Sequence, residues 1–269
     1  MMRPVFILAL ASCLASADVW TDTFSIDRIA LPPGIDPQIG VIGLSMQMII
    51  DRLATAYDKG IRMFQISLPS WGPLDLPEML VFFSTVCGAF PDCRFLHYNL
   101  PRAGRIVAGS EYRRIIDEVP NLVATKNSST DYARTADLMT HVPQLQHFFL
   151  EGNFAMGCTM GQCSLLCSYD VLFPKTTWKF FQAGLDGDLP ELFRISKFLY
   201  DVGNTLFAHC RRDMIDGSFD KTFVWLKNPL HILFQWVPKI YMSCQCIDFL
   251  TSDENLPHNT PFHFCPILP

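Results

Sequence analysis

The sequence predicts a parallel α/β fold of the (β/α)8 barrel class, and three observations carry that reading. Short apolar runs alternate with segments of helical periodicity between residues 39 and 174, a pattern that calls for parallel pairing through right-handed crossovers. Two of these runs, 94–98 and 122–126, end on residues able to do chemistry, Tyr98 and Lys126, and each is followed by turn residues and a helix. In a parallel barrel the carboxyl ends of the strands are where active sites assemble. The chain also has the material for one large core, with 49% hydrophobic and 17% charged residues in a length of 269. Barrels of about 250 residues are common.

The first 17 residues stand apart from the fold. Met1-Met2-Arg3 is a short basic start, residues 5–15 are apolar, and Ala15-Ser16-Ala17 is a small-residue cleavage site before Asp18. This is the layout of a secretory signal peptide. The apolar run is too short to span a bilayer, and no later stretch of about 20 apolar residues follows. The expectation is therefore a secreted or secretory-lumen protein with no membrane partner after cleavage.

Residues 18–38 are irregular, with Pro32-Pro33-Gly34 and Pro37 as breakers. Residues 39–44 read as a buried strand. Ser45 caps a helix over 46–59, in which Ile49, Ile50, Leu53 and Tyr57 recur at helical spacing and which Gly60 ends. A strand at 61–68, a loop through Trp71 and a helix at 77–89 follow. The strands 94–98 and 122–126 lead into helices at 110–119 and 130–142, and 148–151 and 162–167 are the last strands. The barrel part thus covers 39–174, a helical part 175–243 includes a helix at 189–209, and 244–269 is an irregular tail.

Six strands are read where a barrel needs eight, and 18–38 is too short to hold two strand–helix units. The expected architecture is a barrel lacking its first two units. An open sheet edge at 39–44 invites pairing, so 18–38 should pack across it, or the chain should associate with itself as a homo-oligomer.

The remaining composition excludes several functions. A formal net charge of −5 with no basic patch argues against nucleic acid as a partner. Of ten cysteines, nine remain without Cys13, an odd number with no C-x-x-C pair, so no zinc site is implied. No phosphate-cradling loop, Ser-His-Asp order or metal constellation is present, and no cofactor is implied. His97 precedes Tyr98 on its strand and by alternation faces the other way, as a core residue. Lys126 is the unusual residue. Burial disfavours the charged form of an amine, and a desolvated amine is a nucleophile able to form a Schiff base with a ketone.

Tyr98-Asn99-Leu100-Pro101 resembles the Tyr-Asn-Ile/Val-Pro signature of the dihydrodipicolinate synthase and N-acetylneuraminate lyase family. Lys126-Asn127-Ser128-Ser129-Thr130-Asp131 resembles that family's Schiff-base lysine segment, and the two are 28 residues apart, a separation similar to the family's own. The resemblance runs from about Ile39 to Trp225, with Ala183 to Asp188 and Met214 to Lys221 similar to its C-terminal segments. It implies a class I aldolase barrel and a 2-oxo acid such as pyruvate as the small-molecule substrate. Lys126 would form the imine and Tyr98 would move protons. Ser128 matches a position that meets substrate in the lyase branch; it also suits capping of the 130–142 helix, a duty for which Ser129 competes.

The departures are specific. The family's Gly-Thr-Thr-Gly-Glu carboxylate loop occurs nowhere in the chain. Ala103 stands where the synthase branch has an arginine, with Arg102 and Arg105 on either side as substitutes. Trp71 replaces a second aromatic that could relay protons. Gly152 matches the seventh-strand glycine but is followed by Asn153-Phe154-Ala155 instead of acidic residues. Ser168-Tyr169-Asp170 resembles the eighth-strand segment of the lyase, and the balance leans to that branch. Three functions follow as expectations: lyase-like carbon–carbon cleavage or condensation, a synthase-like hydro-lyase, or a non-catalytic barrel remnant that binds. Family members are mostly cytosolic, so a cytoplasmic chain whose start only mimics a signal is the second reading of location.

Overall fold

The computed structural model describes residues 38–209; the expected signal peptide, the covering segment before the first strand and the C-terminal tail lie outside them. The chain divides at Leu166/Cys167 into two compact units. The first holds a six-stranded sheet, β1 (Gln38–Val41), β2 (Met63–Ile66), β3 (Arg94–Asn99), β4 (Leu122–Asn127), β5 (Gln146–Leu150) and β6 (Ser164–Leu166). The strands pair in sequence order and every pairing is parallel. This is a half-barrel sheet whose end strands among the described residues are β1 and β6. Each strand begins within two residues of its expected place, because the apolar runs that predict strands are also the runs the sheet buries, though β1 ends at Val41, three residues short of the expected 44.

Helices α1 (Met46–Asp58), α2 (Leu76–Gly88), α3 (Gly109–Glu118), α4 (Tyr132–His141) and α5 (Glu151–Cys158) return the chain between strands. Ser45 caps α1 as expected, its hydroxyl accepting from the Met48 amide at 3.3 Å. Gly60, just past the end of α1, takes φ = +90°, a conformation that costs a side-chain-bearing residue strain. At α2 the Asp75 carboxylate accepts from the Glu78 amide while the Glu78 side chain accepts from the Asp75 amide, satisfying two amides at once.

The cap of α3 comes from another helix. Its first residue, Gly109, donates its amide to Asp137 of α4 at 2.6 Å. A Cβ on Gly109 would stand 2.5 Å from the Asp137 carbonyl oxygen, so the closeness of the two helices depends on glycine here.

Two expectations need correction. The helix after β4 starts at Tyr132, and its cap is Asp131, whose carboxylate accepts from Ala133 at 2.8 Å. Neither Ser128 nor Ser129 caps it; the Ser129 hydroxyl accepts from the Asp131 amide and shapes the approach. Asp131 lies in the right position for its side chain to reach the first free amides. The second difference is α5, which follows β5 without a loop and was not foreseen. Asn153, Phe154, Ala155 and Gly157 of this helix are all buried, so it shows no apolar stripe to read, and two glycines depress its propensity.

Strand alternation divides the side chains of the sheet between two faces. Phe64, Phe95, His97, Thr125, His147 and Phe149 face the helices and are buried. Phe83 of α2 meets the His97 ring edge-on at 5.0 Å between centroids, and Tyr112 of α3 is 2.5 Å from His97 Nδ1. The expected core role of His97 is what is found. On the other face Leu96, Ala124 and Phe148 form a buried cluster against which Val123 and Leu166 pack.

The second unit carries α6 (Pro174–Asp186) and α7 (Leu189–His209). Gly187, at φ = +71°, makes the turn that ends α6. Tyr169 lies under α7, where Gly203 leaves room for its hydroxyl at 2.7 Å from where a Cβ would be. No helix among the described residues is long and apolar enough to cross a membrane.

Candidate active site

The carboxyl ends of β3 and β4 form the candidate site. Parallel registry sets Tyr98 directly beside Lys126 and Asn99 beside Asn127. Tyr98 and Lys126 share the face of the sheet that carries the Leu96–Ala124–Phe148 cluster, and both are half-buried. The Lys126 amine lies 4.1 Å from the centroid of the Tyr98 ring. A cation at that distance over an aromatic face is held electrostatically, so the two side chains are positioned as a pair. Phe148 stands next to Lys126 in the register of β5, on the same face of the sheet.

The asparagines that follow these two residues were not singled out in the sequence, and they organise the loop. The Asn99 side chain accepts from the Val107 amide at 2.9 Å and donates to the Val107 carbonyl at 3.0 Å. It also donates to Asn127 Oδ1 at 3.2 Å, and Asn127 donates to the Thr125 hydroxyl at 2.8 Å. These bonds clamp the segment after Tyr98 to the end of the neighbouring strand. The available signal was the repeated pairing, Tyr-Asn and Lys-Asn, at the ends of two consecutive strands.

Ser128 follows directly on β4 and is half-buried. Gly152 lies in the first turn of α5 rather than in a loop, and a Cβ on it would stand 3.1 Å from the methyl of Thr130. It therefore borders the loop that follows Lys126. Arg102 is exposed on the 3-10 turn Pro101–Ala103. Arg105 is committed elsewhere: it ion-pairs with Glu111 and donates to the Leu74 carbonyl at 2.8 Å. Of the two arginines beside Ala103, Arg102 is the one not tied to this loop framework. Trp71 is 79% exposed, a poor setting for a proton relay.

A cavity of about 170 Å³ opens among Asn99, Val107, Asn127, Arg134, Thr135 and Phe149. Its sheet residues belong to the helix-facing side, so it lies across the sheet from the Lys126 amine. Burial lowers the pKa of His97 to about 3 and also lowers that of His147. Both histidines are neutral structural groups at neutral pH.

No protein-family model matches the chain. Two curated relatives, the 4-hydroxy-tetrahydrodipicolinate synthases of two strains of Thermus thermophilus, are 23% identical to it over 195 residues. That match takes in 68% of this chain and spans 61% of the relatives' length. Among solved structures, YagE from E. coli K12, of the dihydrodipicolinic acid synthase family and in complex with pyruvate, superposes with a TM-score of 0.68 at 14% identity. The match covers 81% of this chain and 74% of that one. The sialic acid aldolase of Ruminococcus gnavus gives the same TM-score and identity over 82% of this chain and 73% of its own. Dihydrodipicolinate synthase from Aquifex aeolicus gives 0.65 at 19% identity, covering 81% and 73%.

These neighbours point to the dihydrodipicolinate synthase / N-acetylneuraminate lyase family of class I aldolases. At 14–19% identity the solved structures show the fold: a parallel half-barrel sheet of six strands with helices.

Proposed function

We propose that the chain is a carbon–carbon lyase of the Schiff-base type, with Lys126 as the amine that condenses with pyruvate or another 2-oxo acid. The observation that carries this reading is the Lys126 amine held 4.1 Å from the Tyr98 ring centroid at the carboxyl ends of adjacent parallel strands. The neutral amine attacks the ketone carbon, water leaves, and the protonated imine draws electrons from the carbon–carbon bond being broken or made. The Tyr98 hydroxyl, on the next strand, serves as acid and base for the protons that must move. Ser128 and Gly152 border the substrate, and Arg102 reaches for its carboxylate. In the same reading, β1 to β6 correspond to the third to eighth strands of an eight-stranded barrel. The reaction is carbon–carbon cleavage or condensation in the manner of N-acetylneuraminate lyase, and a synthase-like condensation uses the same imine.

A second reading is favoured by one feature: Arg105, one of the two arginines flanking Ala103, is tied to Glu111 and the Leu74 carbonyl. With that group withdrawn from a substrate carboxylate, a remnant that binds without turnover is the alternative. Borohydride reduction in the presence of pyruvate, followed by peptide mass spectrometry, separates the two. The lyase reading expects a reduced adduct on Lys126 that Lys126→Ala and Lys126→Arg abolish, because a guanidinium stays protonated up to a pH of about 12. Folded wild-type chain that traps nothing identifies the remnant.

A further inference from the structure

We propose that Cys158 and Cys163 are a covalent modification site, which closes to a disulfide when the chain meets a low-molecular-weight disulfide of the glutathione type. Their sulfur atoms lie 3.7 Å apart, across the turn that joins the end of α5 to β6. A disulfide bond is about 2.05 Å, so bonding requires an approach of roughly 1.7 Å. Rotation of a half-buried side chain at a helix end can supply much of that.

The surrounding packing keeps the pair together. Cys163 is 7% exposed, with its sulfur 3.9 Å from the Phe154 carbonyl oxygen. It reaches the helix only because residue 157 is glycine: a Cβ there would stand 3.0 Å from the Cys163 sulfur and 2.8 Å from the Phe149 ring. The intervening turn is tight, the Met160 and Gly161 amides both donating to the Gly157 carbonyl at 2.9 and 3.2 Å. Cys158 is the more accessible of the two thiols, and the hydrogen bond from Cys163 lowers its pKa, favouring its thiolate. The thiolate is the attacking species in disulfide exchange.

The exchange takes two steps. The Cys158 thiolate, having given its proton to solvent, attacks one sulfur of the small disulfide, whose bond breaks and releases one thiolate. Cys163 passes its proton to that thiolate and attacks the Cys158 sulfur, expelling the second thiolate, which takes up the proton Cys158 released. Two protein thiols are oxidised and one small disulfide is reduced to two thiols.

The test uses the full chain held in glutathione buffers of graded oxidised fraction, then alkylated. Cyanogen bromide cleaves after Met156 and Met160 and trypsin after Lys175, which separates residues 157–160, carrying Cys158, from 161–175, carrying Cys163 and Cys167. The expected result is that these two peptides are recovered joined, lighter than their sum by two hydrogen atoms, with Cys87 still alkylated only after unfolding. Reduction separates them, and Cys163→Ser prevents the joining. The proposal is overturned if the peptides stay joined in Cys163→Ser, which makes Cys167 the partner. It is equally overturned if Cys158 ends as a stable glutathione adduct, or if both thiols remain fully alkylated in the most oxidising buffer.

Discussion

Replacing His97 with asparagine should remove a large part of the acid sensitivity of the fold. His97 is 1% exposed, its Nδ1 is engaged with the Tyr112 hydroxyl, and its Nε2 finds no partner among the described residues. A second proton on this ring would be a buried charge, and desolvation accordingly lowers its pKa from 6.5 to about 3. The unfolded chain protonates the ring below 6.5 while the native state resists until about 3. Stability from this group is therefore complete above the unfolded value and is lost as pH falls through that window. Integrated from pH 7 to pH 4, the loss is about 3 kcal/mol. Urea unfolding of wild type and His97→Asn at both pH values measures it, each protein serving as its own reference so that the intrinsic cost of the substitution cancels. Other titrating groups, His147 included, contribute equally to both and also cancel. The wild type should lose about 3 kcal/mol more than the variant between the two pH values. Equal losses would refute the reasoning.

Three further outcomes are expected. Tyr98→Phe keeps the ring beside Lys126 and removes the hydroxyl, so the thermal midpoint should barely move while turnover of a 2-oxo acid substrate falls about 10²–10⁴-fold; unchanged turnover would assign the proton to another group. Asn99→Ala deletes three hydrogen bonds and strands the buried Val107 amide, costing about 3 kcal/mol at roughly 1 kcal/mol each. Hydrogen exchange should then speed up across residues 100–108, and unaltered protection there would contradict the clamp. Gly109→Ala places a Cβ 2.5 Å from the Asp137 carbonyl oxygen and should destabilise by about 1–3 kcal/mol, as overpacking does, even though alanine favours helix. A neutral or raised midpoint in chemical denaturation would show that α3 and α4 can separate at little cost.

The juxtaposed pair was legible because strand alternation and terminal position are written in single residues: Tyr98 and Lys126 each close an apolar run, and His97 must face away from Tyr98. The clamp behind the pair was not. Asn99 and Val107 are 8 residues apart and Asn99 and Asn127 are 28 apart, and nothing local in either asparagine says that its amide is satisfied across a loop. Arg105 shows the same limit. Its position beside Ala103 suggested a carboxylate grip, while its partners, Glu111 and the Leu74 carbonyl, lie on segments brought near only by packing. The α5 helix was hidden for a related reason, since a helix buried nearly all round lacks the periodicity that reveals a half-exposed one.

By itself the sequence determined the order and kind of most elements, the parallel sheet and the two strand ends at which Tyr98 and Lys126 stand. These follow from periodicity, turn residues and caps, all of them interactions between near neighbours in the chain. Tertiary structure alone decided the registry that sets Lys126 beside Tyr98 and the cap that α4 lends to α3 through Asp137. It also decided the closeness of Cys158 to Cys163, which depends on the missing side chain of Gly157. Such contacts arise from packing between elements. Pairing a strand end with its neighbour, or a thiol with a thiol, depends on distances that only the folded chain defines.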